Sequence, residues 1–104
     1  MIGELILQRG TTLARRLRLA PGEAMPWHHD PFHRITVVLS GNELAIEYRD
    51  GDATQHIRVS PGQVDWDEPS ERIHSGVNIG SQPYEEVAIF FLDHPDDAAQ
   101  PLDP

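Results

Sequence analysis

The chain reads as an all-β sandwich or barrel, on three observations. No long stretch repeats its apolar residues with a helical period. Turn signals recur every ten or so residues instead, at Arg9-Gly10, Pro21-Gly22, Ser40-Gly41-Asn42, Asp50-Gly51-Asp52, Pro61-Gly62 and Gly80-Ser81. Between them lie short alternating or β-branched runs, the mark of strands that bury one face.

Taken in order, residues 4–8 form a first apolar strand and residues 12–19 a second. In the second, Leu13, Arg15, Leu17 and Leu19 share one face, and Arg16 and Arg18 take the other. A short third strand carries His28 and Asp30, and a fourth covers 34–40. Residues 43–49 and 53–59 flank Asp50-Gly51-Asp52 as a hairpin. On its first arm, Leu44, Ile46 and Tyr48 alternate with Glu43, Ala45 and Glu47, which places Tyr48 in the core. A short strand at 64–66 precedes one at 73–79, which holds His74 and Asn78. The last strand, 86–92, is apolar almost throughout and is expected to be buried on both faces.

With 104 residues the chain fits one small domain, read here as a barrel over 1–92 and an acidic, proline-rich tail over 93–104. There is no cysteine, so disulfides and thiolate metal sites are excluded and His, Asp and Glu are left as strong ligands. Such ligands suit iron, manganese, nickel, copper or zinc. Seventeen acids against eight arginines give a net charge of −9, which repels nucleic acid and anionic membranes. No apolar run reaches membrane-spanning length. The start, MIGELILQRG, does not have the pattern of a signal peptide, so a cytoplasmic location is expected.

The stretch GEAMPWHHDPFHRITVVLSG, residues 22–41, concentrates the chemistry. In an extended segment His28 and Asp30 point to one face and His29 to the other. Two ligand-type groups beside the β-branched run 35–39 make half of a metal site. His74 is the best candidate for the other half. His33, beside Pro31 and Phe32, reads as a rim residue, and His56 and His94 as solvated ones.

These residues resemble a known family, the small single-domain cupins. The first cupin motif, G-x5-H-x-H-x3–4-E-x6-G, is matched in spacing by Gly22, His28, Asp30, Arg34 and Gly41. The second, G-x5-P-x-G-x2-H-x3-N, is met by Gly62, Pro69 after one extra residue, Glu71 at the glycine, His74 and Asn78. The resemblance implies a double-stranded β-helix, a jelly-roll barrel of two antiparallel sheets, with a pocket between them. Two family ligands change: Asp30 stands for a histidine and Arg34 for the glutamate. There is also a loose likeness to the group that includes the β-alanine-degradation cupin, which hints at a small amino or carboxylic acid.

His28, Asp30 and His74 would supply two imidazoles and one carboxylate, the facial triad of non-haem iron sites. The same H-x-D and distant H occur in 2-oxoglutarate-dependent oxygenases, but no arginine follows His74 here. Arg34 pointing inward would clamp a carboxylate, as a catalytic and substrate-binding residue, or would pair with Asp30 in a metal-free pocket. Trp66 is a candidate for the pocket mouth and Asn78 for ligand contact. The plainer alternatives are packing for Trp66 and pinning a turn for Asn78.

Two functions stay open. One is an enzyme using a divalent metal (Fe, Mn, Ni or Zn) on a small carboxylated substrate, with dioxygenase, isomerase or decarboxylase chemistry. The other is a metal-free module that binds a small molecule. A homodimer is expected, because the sheet face bearing Ile35, Val37 and Leu39 needs cover.

Overall fold

The computed structural model describes residues 1–92. The tail expected at 93–104, His94 included, lies outside the described residues. Nine strands and no helix form among those described: β1 (Ile2–Arg9), β2 (Thr12–Leu19), β3 (His28–Asp30), β4 (His33–Ser40), β5 (Glu43–Tyr48), β6 (Gln55–Arg58), β7 (Val64–Asp67), β8 (Ser70–Asn78) and β9 (Tyr84–Phe91). No helix of the described residues is long and apolar enough to cross a membrane.

The strands pair into a five-stranded sheet, β1-β2-β9-β4-β7, and a four-stranded sheet, β3-β8-β5-β6, with every pairing antiparallel. Alternation decides what each strand sends inside. From β2 come Leu17 and Leu19, from β4 Val38 and from β5 Leu44. With Val59 and Tyr84, and with Met25 and Ile57 packed against them, they form the apolar core.

β9 is central, between β2 and β4, as its apolar run demands. Its inner residues Tyr84, Ala88 and Phe90 are buried, and its outer residues Val87, Ile89 and Phe91 are half-buried. Tyr48 is likewise half-buried rather than core. Its hydroxyl donates to Gln55 Oε1 at 2.9 Å, and the Arg72 guanidinium lies 3.7 Å from its ring centre.

The turn after β4 depends on glycine. Gly41 has φ of +116°, and a β-carbon there would lie 2.9 Å from Tyr84 Cδ1 and 3.2 Å from Tyr84 Cα. Both the left-handed backbone and the close approach exclude a side chain. Asn78 is fully buried, and its amide nitrogen donates to the carbonyls of Leu19 at 3.0 Å and Gln82 at 2.9 Å. Its Oδ1 accepts from the Gly80 N–H at 3.0 Å. It therefore pins the β8–β9 turn, and burial has committed its polar groups to main chain.

Candidate metal centre

The centre begins with strand register. His28 on β3 lies directly opposite His74 on β8, and Tyr48 on β5 lies opposite His74 on the other side. The imidazole centroids of His28 and His74 are 4.5 Å apart. Beyond His28 the pairing slips, so that Asp30 faces Ser70. One ligand atom from each of His28, Asp30 and His74 lies within 4.8 Å of the other two. The three residues singled out from the sequence thus converge.

Asp30 Oδ2 is 3.0 Å from His74 Nε2 and 3.5 Å from His28 Nε2. The opposite ring nitrogens are held by main chain: His28 Nδ1 is 2.8 Å from the Pro26 carbonyl and His74 Nδ1 is 2.9 Å from that of Arg72. A carbonyl oxygen only accepts, so each Nδ1 carries the proton and donates. In neutral imidazoles the Nε2 lone pairs then face an ionised carboxylate. Three acceptors at these distances require a positive charge among them, whether protons, a guanidinium or a metal ion.

Arg34 is one such charge. It points inward from β4, and its Nη1 lies 2.5 Å from Asp30 Oδ2. Its Nε donates to Asp67 Oδ2 at 3.2 Å and to Thr36 Oγ1 at 3.3 Å, and Thr36 Oγ1 donates to Asp67 Oδ2 at 3.0 Å. Burial pushes the Asp30 carboxyl up, but the His28 hydrogen bond and the Arg34 charge outweigh it and hold the group well below the ordinary carboxylate range. The contact with Asp30 raises His28, against the effect of burial.

Three spaces border the centre. A cavity of about 370 Å³ with a largely apolar wall, including Leu13, Met25, Phe32 and Phe90, reaches His28 and Asp30. A second of about 400 Å³ holds Asp30, Arg34 and His74 together with Tyr48, Asp67 and Arg72. Between them, a space of about 50 Å³ adds Glu86 to the triad and Arg34. Burial raises the Glu86 carboxyl, which accepts the Tyr84 hydroxyl at 2.7 Å.

Asp67 and Glu86 were not picked out as site residues by sequence. Asp67 lies one residue beyond the short strand expected at 64–66, yet β7 extends through it and pairs it with Arg34. The period-two pattern Asp65-Trp66-Asp67 carried the signal. It also corrects Trp66, which shares the outer face with its partner Ile35, stacks on Phe91 at 5.9 Å and is 54% exposed. Trp66 lines none of the three spaces. His33 is buried rather than on the rim, with Nε2 3.0 Å from Glu68 Oε2 and its ring 5.4 Å from that of Trp66. His29 is exposed, and it borders the same apolar-walled cavity of about 370 Å³ as His28 and Asp30.

No family model matches the chain, and no curated protein matches it. Solved structures do. A cupin domain from Bordetella pertussis Tohama I aligns with a TM-score of 0.75 at 18% identity, over 86% of this chain and 90% of that one. An RmlC-like cupin family protein with a double-stranded β-helix fold from Methanocaldococcus jannaschii aligns at 0.69 and 18% identity, over 95% and 85%. An oxalate oxidase in complex with the substrate analogue glycolate aligns at 0.60 and 24% identity, over 82% of this chain and 44% of that one. Two antiparallel sheets, the two motif segments meeting between them, and these alignments agree that the chain is a small protein of the cupin fold.

Proposed function

We propose that this chain binds a divalent metal ion through His28 Nε2, Asp30 and His74 Nε2, and acts on a small carboxylated metabolite beside it. The observation that carries this reading is the pair of main-chain locks on Nδ1, at Pro26 and Arg72. They turn the Nε2 atoms of both rings and a carboxylate to one point, the arrangement metal-binding histidines adopt. Iron, manganese, nickel and zinc all suit the donor set. Such an ion, when bound, acts as a Lewis acid or supports oxygen chemistry, which covers dioxygenase, isomerase and decarboxylase reactions.

The remaining roles belong to the protein. Arg34 binds and orients the substrate carboxylate with its forked donors. The apolar wall of Leu13, Met25, Phe32 and Phe90 takes an uncharged portion of the ligand and keeps water from it. The glycolate held by the oxalate oxidase is a small carboxylate in a barrel of similar fold, which agrees in kind with this substrate class.

One observation favours a second reading. The Arg34 guanidinium already rests on Asp30, as in a metal-free pocket that binds a metabolite without turnover. Metal analysis separates the two. Protein purified without chelator is expected to carry close to one metal ion per chain and to lose it in His74→Ala. A content far below one that the substitution leaves unchanged rules the metal reading out. A melting temperature raised by metabolites and indifferent to metals then establishes the other.

A further inference from the structure

Arg34 has two holds of different kind. Its Nε end is fixed by Asp67 and Thr36, at 3.2 and 3.3 Å. Its Nη1 end lies on Asp30, the one carboxylate of the candidate centre, at 2.5 Å. The side chain also borders the cavity of about 400 Å³ that opens beside Asp30 and His74. The outer half of the guanidinium can therefore change partners while the inner half stays anchored, and Thr36 keeps Asp67 aligned for that anchor at 3.0 Å.

We propose that Arg34 couples anion binding to metal binding in this pocket. The guanidinium is a tethered competitor for Asp30. A small carboxylate entering the cavity accepts the Nη donors, draws that end off Asp30 and leaves the oxygen to a divalent cation. Metal and anion then bind with positive cooperativity, each raising the affinity of the other by the same factor. The inference rests on the metal reading of the centre and adds an order to it: without an anion the cation meets a carboxylate that is already paired.

The electrostatics point the same way. A guanidinium on Asp30 repels a second cation at the distances of the centre, and the repulsion is strong where water is scarce. Shifting the charge to an incoming anion neutralises it without taking it out of the pocket. Asp67 is what makes this a shift and not an expulsion.

The test follows Mn²⁺ binding by the free-ion electron paramagnetic resonance signal, with sodium acetate as probe anion and sodium chloride at equal ionic strength as control. In the wild-type protein acetate is expected to tighten Mn²⁺ binding roughly fivefold or more, within the usual range of coupling between sites. In Arg34→Gln, Mn²⁺ is expected to bind more tightly than in wild type without acetate, and acetate to add little. Arg34→Met, which keeps an apolar stem, gives the same reading if Arg34→Gln melts early. An acetate effect of equal size with and without Arg34 overturns the coupling, since the anion then acts on the metal directly. Unchanged Mn²⁺ affinity on removing Arg34 overturns the competition. Either result leaves the metal reading standing, whereas absence of Mn²⁺ binding in all three proteins removes both.

Discussion

His28 and His74 are direct cross-strand partners, their imidazoles 4.5 Å apart, although they come from the two separate motif segments of the chain. Neighbouring strands hold the two rings, so the pair is preformed and needs no movement of the barrel to assemble. Metal binding is therefore expected to add to stability without reorganising it. Zinc at a thousand times its dissociation constant would stabilise the fold by about 4 kcal/mol, read as a rise in melting temperature. His28→Ala is expected to abolish that rise while leaving the melting temperature of the chelated protein within a few degrees. A zinc-dependent rise that survives the substitution would place the ion elsewhere.

Glu86 gives the pH dependence. Burial raises its carboxyl above the ordinary value of 4.5. The folded state therefore holds a proton that the unfolded chain releases earlier as pH rises. The stability this group contributes is fully present below 4.5 and is lost as pH climbs through its folded value. Glu86→Gln keeps an acceptor for the Tyr84 hydroxyl and removes the titration. The variant is expected to match wild type near pH 4 and to exceed it as pH rises, the difference levelling off once the folded carboxyl has ionised, in chemical unfolding of the metal-free proteins. A stability difference independent of pH would refute the assignment.

Asn78→Ala tests the claim that this residue serves the fold and not the ligand. Three hydrogen bonds to main chain would be lost from a fully buried site. The cost is expected to be roughly 2–4 kcal/mol in urea unfolding. Metal affinity at temperatures where the variant is folded should not change.

Gly41→Ala is expected to destabilise by about 1–3 kcal/mol, because the added carbon meets Tyr84 and the backbone is left-handed. Equilibrium unfolding measures it. An unchanged midpoint would mean that the turn relaxes freely.

Self-association is the fifth property open to direct measurement. All eight residues of β1 are exposed, among them Ile2, Leu5, Ile6 and Leu7, and the strand forms one edge of its sheet. An exposed apolar edge invites pairing with a second copy. The face expected from sequence to need cover is drier, since Ile35 and Val37 are half-buried and Leu39 alone of the three is exposed. Light scattering on a sizing column is expected to give a dimer, which Leu5→Lys with Leu7→Lys converts to a monomer. Leu39→Lys is expected to leave the dimer intact, and a monomer from that change would move the interface to the outer face of β4.

Much of the architecture could be read from alternation and turn chemistry. The second strand was placed at 12–19, as found, and the others within a few residues. The centre was legible for the same reason: period two put His28 and Asp30 on one face, and the motif spacing brought His74 to them. What escaped was partnership across the barrel. The charge that Arg34 meets at Asp67 depends on the β4–β7 register, and nothing local to either segment specifies that. Asn78 did not escape: its amide is turned to backbone, the turn-pinning that is the plainer of its two sequence readings. Glu86 stands at the start of the apolar run, directly after Glu85, and nothing local tells which of the two acids turns inward.

The acceptors that set both tautomers are peptide oxygens, of Pro26 and Arg72. Side-chain replacement at either residue leaves its carbonyl in place. Drift among descendants of this chain could therefore rewrite the identity of positions 26 and 72 while the ring orientation passes on unaltered. Only an insertion or deletion that slides β3 against β8 would undo it.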